Sequence, residues 1–386
     1  MSHGTDFKSN VIIELGSNSI KCGIAEEDCP RFVIPNVIGT PKTKYINIID
    51  KKNNIYYGRD ALKNSCNLDI SYPLIESNGK FPLNGDALDK LEGMFKYIFE
   101  KKLQINIQEY GVFIVDSLFT SAKERYALVK LLFEKFGIYH VQIEPQSVMS
   151  FYLTAKSTGL FIGTGELFTE VVPIYEGYMV HKGVLFSPIA GKEMTNQFLK
   201  CYKQIFDMHC VSAQFDLAQT IKEEFIELKE NKIENLKDIP ITKFMLPDGN
   251  NIEIGSERYT IPELLFDPTP SGIEAKGIHE MIFESIDNSD IMLRKEFFNN
   301  LILYGGNSMI KGLDVRLKNE MEKIIKKTKY AENTVKVNAF NDRKYGGWVG
   351  ASGFCTFGHF KDKWITKIML ENSTEDILRQ NYLFGH

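Results

Sequence analysis

An α/β fold built from two similar halves is what the sequence predicts, and three observations predict it. Two glycine-containing turns each follow an apolar strand, in VIIELGSNSIKCG (Val11 to Gly23) and GLFIGTGELFTEVVPIYEGY (Gly159 to Tyr178), and their likeness points to one unit used twice. Apolar runs of strand length alternate along the chain with segments of helical period, as strands joined by crossover helices do. The 386 residues, 43% hydrophobic and 25% charged, suffice for two packed domains and lie far from the composition of a disordered chain.

Val11 to Leu15, Gly23 to Glu26 and Arg31 to Ile34 are short apolar runs separated by turn residues, with Pro30 and Pro35 bracketing the third, so the chain should open as a meander. Pro41 to Asn54 is polar and rich in Lys and Asn, which predicts an exposed flap. Leu88, Leu91, Met94, Phe95, Ile98 and Phe99 recur at helical spacing; Gly111 to Val115 is a continuous apolar strand, and Ala122 to Phe136 is helical again. Val141 to Ile143, a helix from Gln146 to Thr154 and the second glycine turn continue the rhythm. Past Gly191 the pattern is helix-rich and includes Leu217 to Glu230, which carries Lys222, Glu223 and Glu224 on a charged face. LPDGNNIEIGSERY (Leu246 to Tyr259) holds the Asp-Gly of a hairpin. Leu301 to Tyr304 is a buried-type strand, and Gly305, Gly306, Asn307 and Ser308 lead directly into a helix whose N-terminus would face an anion. A glycine-rich helix from Gly346 to Phe357 and an apolar tail with Trp364 complete the chain.

A net charge of -4 argues against bulk nucleic-acid binding, and the cluster Lys323, Lys326, Lys327 and Lys329 reads as cationic residues at a helix C-terminus. The six cysteines form no CxxC pair and no zinc cadence, so reduced thiols in an intracellular compartment are expected. The seven histidines show no HxxxH or HExxH, and His279 reads as structural. The polar start and the absence of an 18-residue apolar window predict a soluble protein with neither signal nor membrane span.

A strand that ends in glycine and hydroxyl residues presents backbone N–H groups and small side chains, a common cradle for phosphate oxygens. Neither the P-loop nor the GxGxxG fingerprint fits these turns, so a nucleotide site here belongs to another architecture. Around the first turn Ser17 and Ser19 offer hydroxyls, Lys21 a point charge and Glu14 an acid. Gly163 stands where matched phosphate turns would carry an acid.

GSNSIKCGIAEEDCPRFVIPNVIGTPK, QSVMSFY, VVPIYEGY, LPDGNNIEIGSERYTIPELLFDPTPSGIEAKGIHE, LILYGGNSMIKGL and RKYGGWVGAS followed by DKWITK together make the chain resemble the actin family, and an actin-related protein more than a conventional actin, from about Val11 to Leu383. The resemblance implies two α/β lobes, each with a five-stranded sheet, closing on ATP or ADP with Mg²⁺ or Ca²⁺. It places residues 1–35, 73–153 and 346–386 in the small-lobe base, 36–72 in its flap, 154–189 and 274–345 in the large-lobe base and 190–273 in the large-lobe top. Gly16, Ser17, Asn18, Ser19 and Lys21 would hold the β/γ-phosphates from one side, and Gly165, Glu166 and Leu167 from the other. Gly191 would border the ribose, Lys222 and Glu223 the adenosine, and Gly306, Met309, Ile310 and Lys344 the base and α-phosphate. Glu14 would face the hydrated cation and Gln146 the attacking water.

The departures from the family pattern are Gly163 and Glu166 for Asp, Leu167 for Gly, Glu170 for His and Glu14 for Asp. Loss of a positioned acid-base group costs about 10²- to 10⁴-fold in rate, so little or no ATPase activity is expected. Leu167 would crowd the phosphates. A flap from Thr43 to Ile55 without glycine, and Pro270 and Ser271 where large apolar residues usually sit, argue against an extended homopolymer. The resemblance implies a nucleotide-binding subunit of a cytoskeletal or chromatin-associated complex, partnered by other actin-family or complex subunits rather than by nucleic acid or membrane. The expected location is the cytoplasm and cytoskeleton, with the nucleus as the alternative. A slow ATPase that polymerises and a nucleotide-free binding module are the competing functions.

Overall fold

The computed structural model describes residues 8–42, 55–81, 85–154, 156–207, 211–237, 239–246, 249–356 and 364–372. Residues 43–54 of the flap, and Pro247 and Asp248 of the hairpin turn, lie outside the described residues. The first half begins with β1 (Asn10–Leu15), β2 (Ser19–Ile24) and β3 (Phe32–Pro35), then β4 (Ile38–Pro41), β5 (Tyr56–Tyr57), β6 (Leu68–Ser71), β7 (Gly111–Asp116) and β8 (His140–Pro145). The second half holds β9 (Thr158–Thr164), β10 (Thr169–Tyr175), β11 (Tyr178–Met179), β12 (Leu185–Ser187), β13 (Thr242–Met245), β14 (Asn251–Ile254), β15 (Leu301–Tyr304) and β16 (Val337–Asn338); β17 (Ile365–Thr366) returns to the first sheet.

The first sheet runs β17-β8-β7-β1-β2-β3 and the second β11-β10-β9-β15-β16, with β12 beside β10. In each, an antiparallel hairpin (β1-β2 or β9-β10) is extended by two parallel strands (β7 and β8, or β15 and β16). The duplication suggested by the two turns is thus present in the topology. Each sheet has six strands rather than five, because β17 pairs with β8 and β12 with β10. The parallel strands are joined by helices: Ala122–Phe136 links β7 to β8, and Leu313–Ile325 links β15 to β16. Ser121 and Glu124 form a capping box at the start of the former, and Gly137, at φ 64°, ends it.

Four element boundaries differ from expectation. β2 starts at Ser19 rather than Gly23 because the β1 ladder continues through Leu15 and Ile20 to the turn, which puts Lys21 inside a strand. The helix expected over Leu217 to Glu230 is Val211–Phe225; past it, Glu227 N–H donates to Arg258 O and Leu228 N–H to Lys311 O, drawing the chain into a bridge. The helix at Gln146 ends at Phe151. Gly306–Met309 is a single 3₁₀ turn, and the helix proper starts at Leu313 after Gly312 enters the left-handed region at φ 81°.

Each sheet is buried on both faces, as its continuous apolar strands require. Val11, Ile13, Val112 and Ile114 face one core of the first sheet, and Ile12, Phe113, Val115 and Trp348 the other. Leu160, Ile162 and Val171 face the large core of the second half; Phe161, Val172, Ile302 and Tyr304 form a smaller one towards Phe151 and Leu118 of the first half. The helices Gln146–Phe151 and Gly346–Thr356 cross each other at close quarters, and a Cβ on Gly350 would lie 2.7 Å from the Met149 carbonyl carbon. Gly350→Ala is therefore expected to lower unfolding stability by about 3 kcal/mol, read as a lower urea midpoint, because backbone blocks the added methyl. Gly353→Ala, whose Cβ meets nothing within 4 Å, should leave the midpoint unchanged or raise it.

Candidate functional site

The β1-β2 and β9-β10 turns face each other across a cleft of about 970 Å³ between the halves. Gly16, Ser17, Asn18, Ser19 and Lys21 line one wall, Gly165, Glu166 and Leu167 the opposite one. Lys222 and Glu223, and then Gly306, Met309, Ile310 and Lys344, complete the lining, with Glu14 and Gln146 on the floor. Gly191 is not on the surface of the cleft. It lies buried behind Glu166, where a Cβ would come within 3.0 Å of Asn307 Nδ2.

Both turns are held by backbone geometry that few residues permit. A Cβ on Gly16 would lie 2.5 Å from Ser19 O, and the Gly16 carbonyl accepts from Asn36 Nδ2 at 3.0 Å. In the second turn Gly165 N–H donates to Phe168 O (3.0 Å), while Gly165 O accepts from the Asn307 amide and from Gly191 N–H at the start of the helix Gly191–Cys201. Three chain segments thereby fix one glycine.

On the floor, Glu14 is almost fully buried and receives three donors: Lys21 Nζ, Gln146 Nε2 at 3.0 Å and Trp348 N–H at 3.0 Å. This knot ties the first strand pair to both crossing helices. On the far wall Lys222 is 1% exposed, so it does not belong to a charged outer face. Its ammonium donates to Gly191 O at 3.0 Å and lies 3.8 Å from Glu166 Oε2. Burial raises the Glu166 carboxyl above its ordinary range against the pull of Lys222. Glu166 Oε1 has no hydrogen-bond partner among the described residues. Leu167 is buried beside Gly79 of the first half, 3.4 Å from where that residue's Cβ would be, so its side chain packs across the rim. Phe168 with Phe119 and Phe119 with Phe186 (ring centroids 5.7 and 4.7 Å), and Lys192 Nζ donating to Ile75 O at 3.3 Å, also bridge the halves there.

The departure at Gly163 has a structural counterpart that the linear sequence does not display. Gly163 in β9 is in register with Glu170 of β10 on one side and with Tyr304 of β15 on the other. The Tyr304 ring lies over the bare glycine, where a Cβ would be 2.7 Å from its Cε2, and its hydroxyl donates to Glu170 Oε1. Both side chains are buried and all three residues line the cleft. Burial above all pushes the Glu170 carboxyl from its ordinary 4.5 up to about 7; the Tyr304 hydrogen bond opposes this, and the Asp116 charge adds to it. Asp116 is itself matched by Arg125 through bonds of 2.6 and 2.8 Å.

A family model described as Actin matches residues 5–381. The chain belongs to the actin family. Its mixed α/β architecture, with two duplicated sheets flanking a cleft, is the family's two-lobed fold, and actin-family folds typically bind an adenine nucleotide with a divalent cation. The lining of this actin-family cleft suits that ligand: two glycine turns with hydroxyls, the cations Lys21 and Lys222 and an open glycine edge at Gly306. Among the described residues no group of three or more His, Cys, Asp or Glu is placed for a metal, and Glu14 already takes three donors. No helix of the described residues is long and apolar enough to cross a membrane.

The sequence marks the turns but not the roles of Tyr304, Asn307 and Asp116 in the cleft. Tyr304 is the last residue of an apolar strand, and only cross-strand register shows that it covers Gly163. Asn307 lies next to Gly306 and was legible as part of the third turn, though not as the donor that pins Gly165.

The raised Glu170 carboxyl has a consequence for stability. Because the folded protein holds this proton more tightly than the unfolded chain, the associated stability is complete below about pH 4.5 and is lost as pH rises through about 7. Denaturant titrations of wild type and Glu170→Gln across that window should diverge, the wild type alone losing on the order of 3 kcal/mol of this contribution.

Proposed function

We propose that the chain holds an adenine nucleotide in this cleft without cutting it at an appreciable rate, and serves as a non-polymerising subunit of a larger assembly. The observation that carries the reading is the Tyr304 ring over Gly163: a phenol hydrogen-bonded to Glu170 stands where hydrolysis in this family would call on an acid. One carboxyl oxygen of Glu170 is engaged by that phenol and Gln146 Nε2 is engaged by Glu14, so fewer groups are left to orient a water than in a cleft that carries an acid at position 163.

A bound nucleotide would supply the phosphates, and with them a divalent cation. The chain's own groups bind and orient: the Ser17 and Ser19 hydroxyls and the turn N–H groups on one side, Gly165 on the other, and Lys21 as a charge already neutralised in part by Glu14. Leu167 packed towards Gly79 relieves the crowding expected of it, which favours a filled cleft over a nucleotide-free module. The plug residues Thr269–Ser271 form a short 3₁₀ turn held to the large lobe by Gln197 Nε2 on Pro270 O (3.3 Å), with Pro270 exposed and no large apolar anchor in the turn. A cytoskeletal complex in the cytoplasm, or alternatively a nuclear one, suits a subunit of this kind.

Purified full-length protein mixed with magnesium-ATP should give a calorimetric binding isotherm, release no phosphate above a protein-free blank and stay in the supernatant on high-speed sedimentation. No binding at millimolar nucleotide would end the nucleotide reading. Steady phosphate release or uniform pelleting filaments would instead establish the slow, polymerising ATPase.

A further inference from the structure

The inner end of the cleft carries an unmatched acid. Glu14 is paired with Lys21, Glu166 lies near Lys222, and Asp116 is bidentate with Arg125. Among the described residues Glu170 has no cationic partner; its close contact is the Tyr304 hydroxyl. Gly163 lies just before the second turn and Glu170 just after it, in register on adjacent strands, so the pair sits directly inward of Gly165. Glu170 senses the charge of Asp116, at the end of β7, and Tyr304 is close to Ser147, at the start of the helix Gln146–Phe151; both of these neighbours belong to the first half. The pair therefore closes the floor where the two halves meet.

We propose that the Glu170–Tyr304 pair is a specificity element that makes the cleft select a nucleoside diphosphate over the triphosphate. This rests on the nucleotide reading above. Two phosphates are accommodated between the glycine turns, where backbone donors, hydroxyls and Lys21 offset their charge. A third would extend inward, against a carboxyl group and an aromatic ring that together offer one hydroxyl, already donated to the carboxyl. A carboxylate and a phosphate in a site of reduced dielectric repel strongly, so above pH 7, where Glu170 is ionised, the third phosphate can enter only by forcing a proton onto that carboxyl. Tyr304 acts here as a positioning residue: its ring can lie flat over Gly163 because that residue has no side chain, and its hydroxyl fixes the carboxyl at the floor.

The test is the ratio of dissociation constants for magnesium-ADP and magnesium-ATP, measured by calorimetry on the full-length chain at about pH 8.5, where Glu170 is ionised. Wild type should bind ADP at least about tenfold more tightly than ATP. Glu170→Gln, which keeps the shape and removes the charge, should bring the ratio to within about threefold by tightening ATP and leaving ADP unchanged. Tyr304→Phe, which keeps the ring and the acid, should retain a preference for ADP. A merely structural role for the pair would weaken both nucleotides alike and leave the ratio untouched, and that result would overturn the proposal. Equal or tighter binding of ATP by wild type would overturn it without recourse to any variant. If neither nucleotide binds, the nucleotide reading fails and this proposal falls with it, an outcome distinct from binding without discrimination.

Discussion

A tyrosine can lie across a β-strand towards the strand beyond only if the residue beneath it has no side chain, and the inner end of this cleft depends on that constraint. Gly163 is flanked in register by Tyr304 and Glu170, so the glycine, the ring and the carboxyl form one cross-strand unit. Any Cβ at position 163 would meet the ring, and any smaller residue at 304 would leave a buried acid without its hydroxyl donor. Gly163 and Glu170 are thereby coupled to each other and to a third position in another segment of the chain.

The remainder of the cleft retains groups suited to holding an anion. Glu14 and Lys21 neutralise each other below the first turn while tying it to Gln146 and Trp348, and Glu166 and Lys222 do the same behind the second. Breaking one partner of a buried pair of this kind usually costs several kcal/mol, because the other charge is left in a medium that solvates it poorly. These pairs therefore fix the turns as much as they prepare them for a ligand. Leu167, Phe168, Phe119 and Phe186 add apolar contact across the rim, so the halves are joined by the chain's own side chains on one side of the cleft.

Much of the fold was legible in the sequence because it is written in local signals. The continuous apolar runs of β1, β7, β9 and β15 and the first two glycine turns act over a few residues, and lie where their patterns placed them. Boundaries set by distant partners were less legible: the helix ends at Phe225 because Glu227 and Leu228 bond to Arg258 and Lys311. The same division holds in the cleft. Residues of the two turns follow from glycine and hydroxyl chemistry, whereas the burial of Lys222 and the position of Tyr304 depend on which strand or helix lies alongside, information that a linear pattern does not carry. Leu167 shows the limit from the other direction: its identity predicts crowding of the cleft, and only the fold shows that it also packs towards Gly79 of the first half.

The central claim is that a phenol-carboxyl pair has taken the place of the acid at the inner end of the cleft while the phosphate cradle survives. An experimental structure of the protein with magnesium-ADP tests this most directly. The account requires the diphosphate between the Gly16–Ser19 and Gly165 turns with the Tyr304 hydroxyl still bonded to Glu170. A Tyr304 ring swung away from Gly163, with Glu14, Asp116 or Glu170 brought within hydrogen-bond reach of the terminal phosphate or its water, would contradict it.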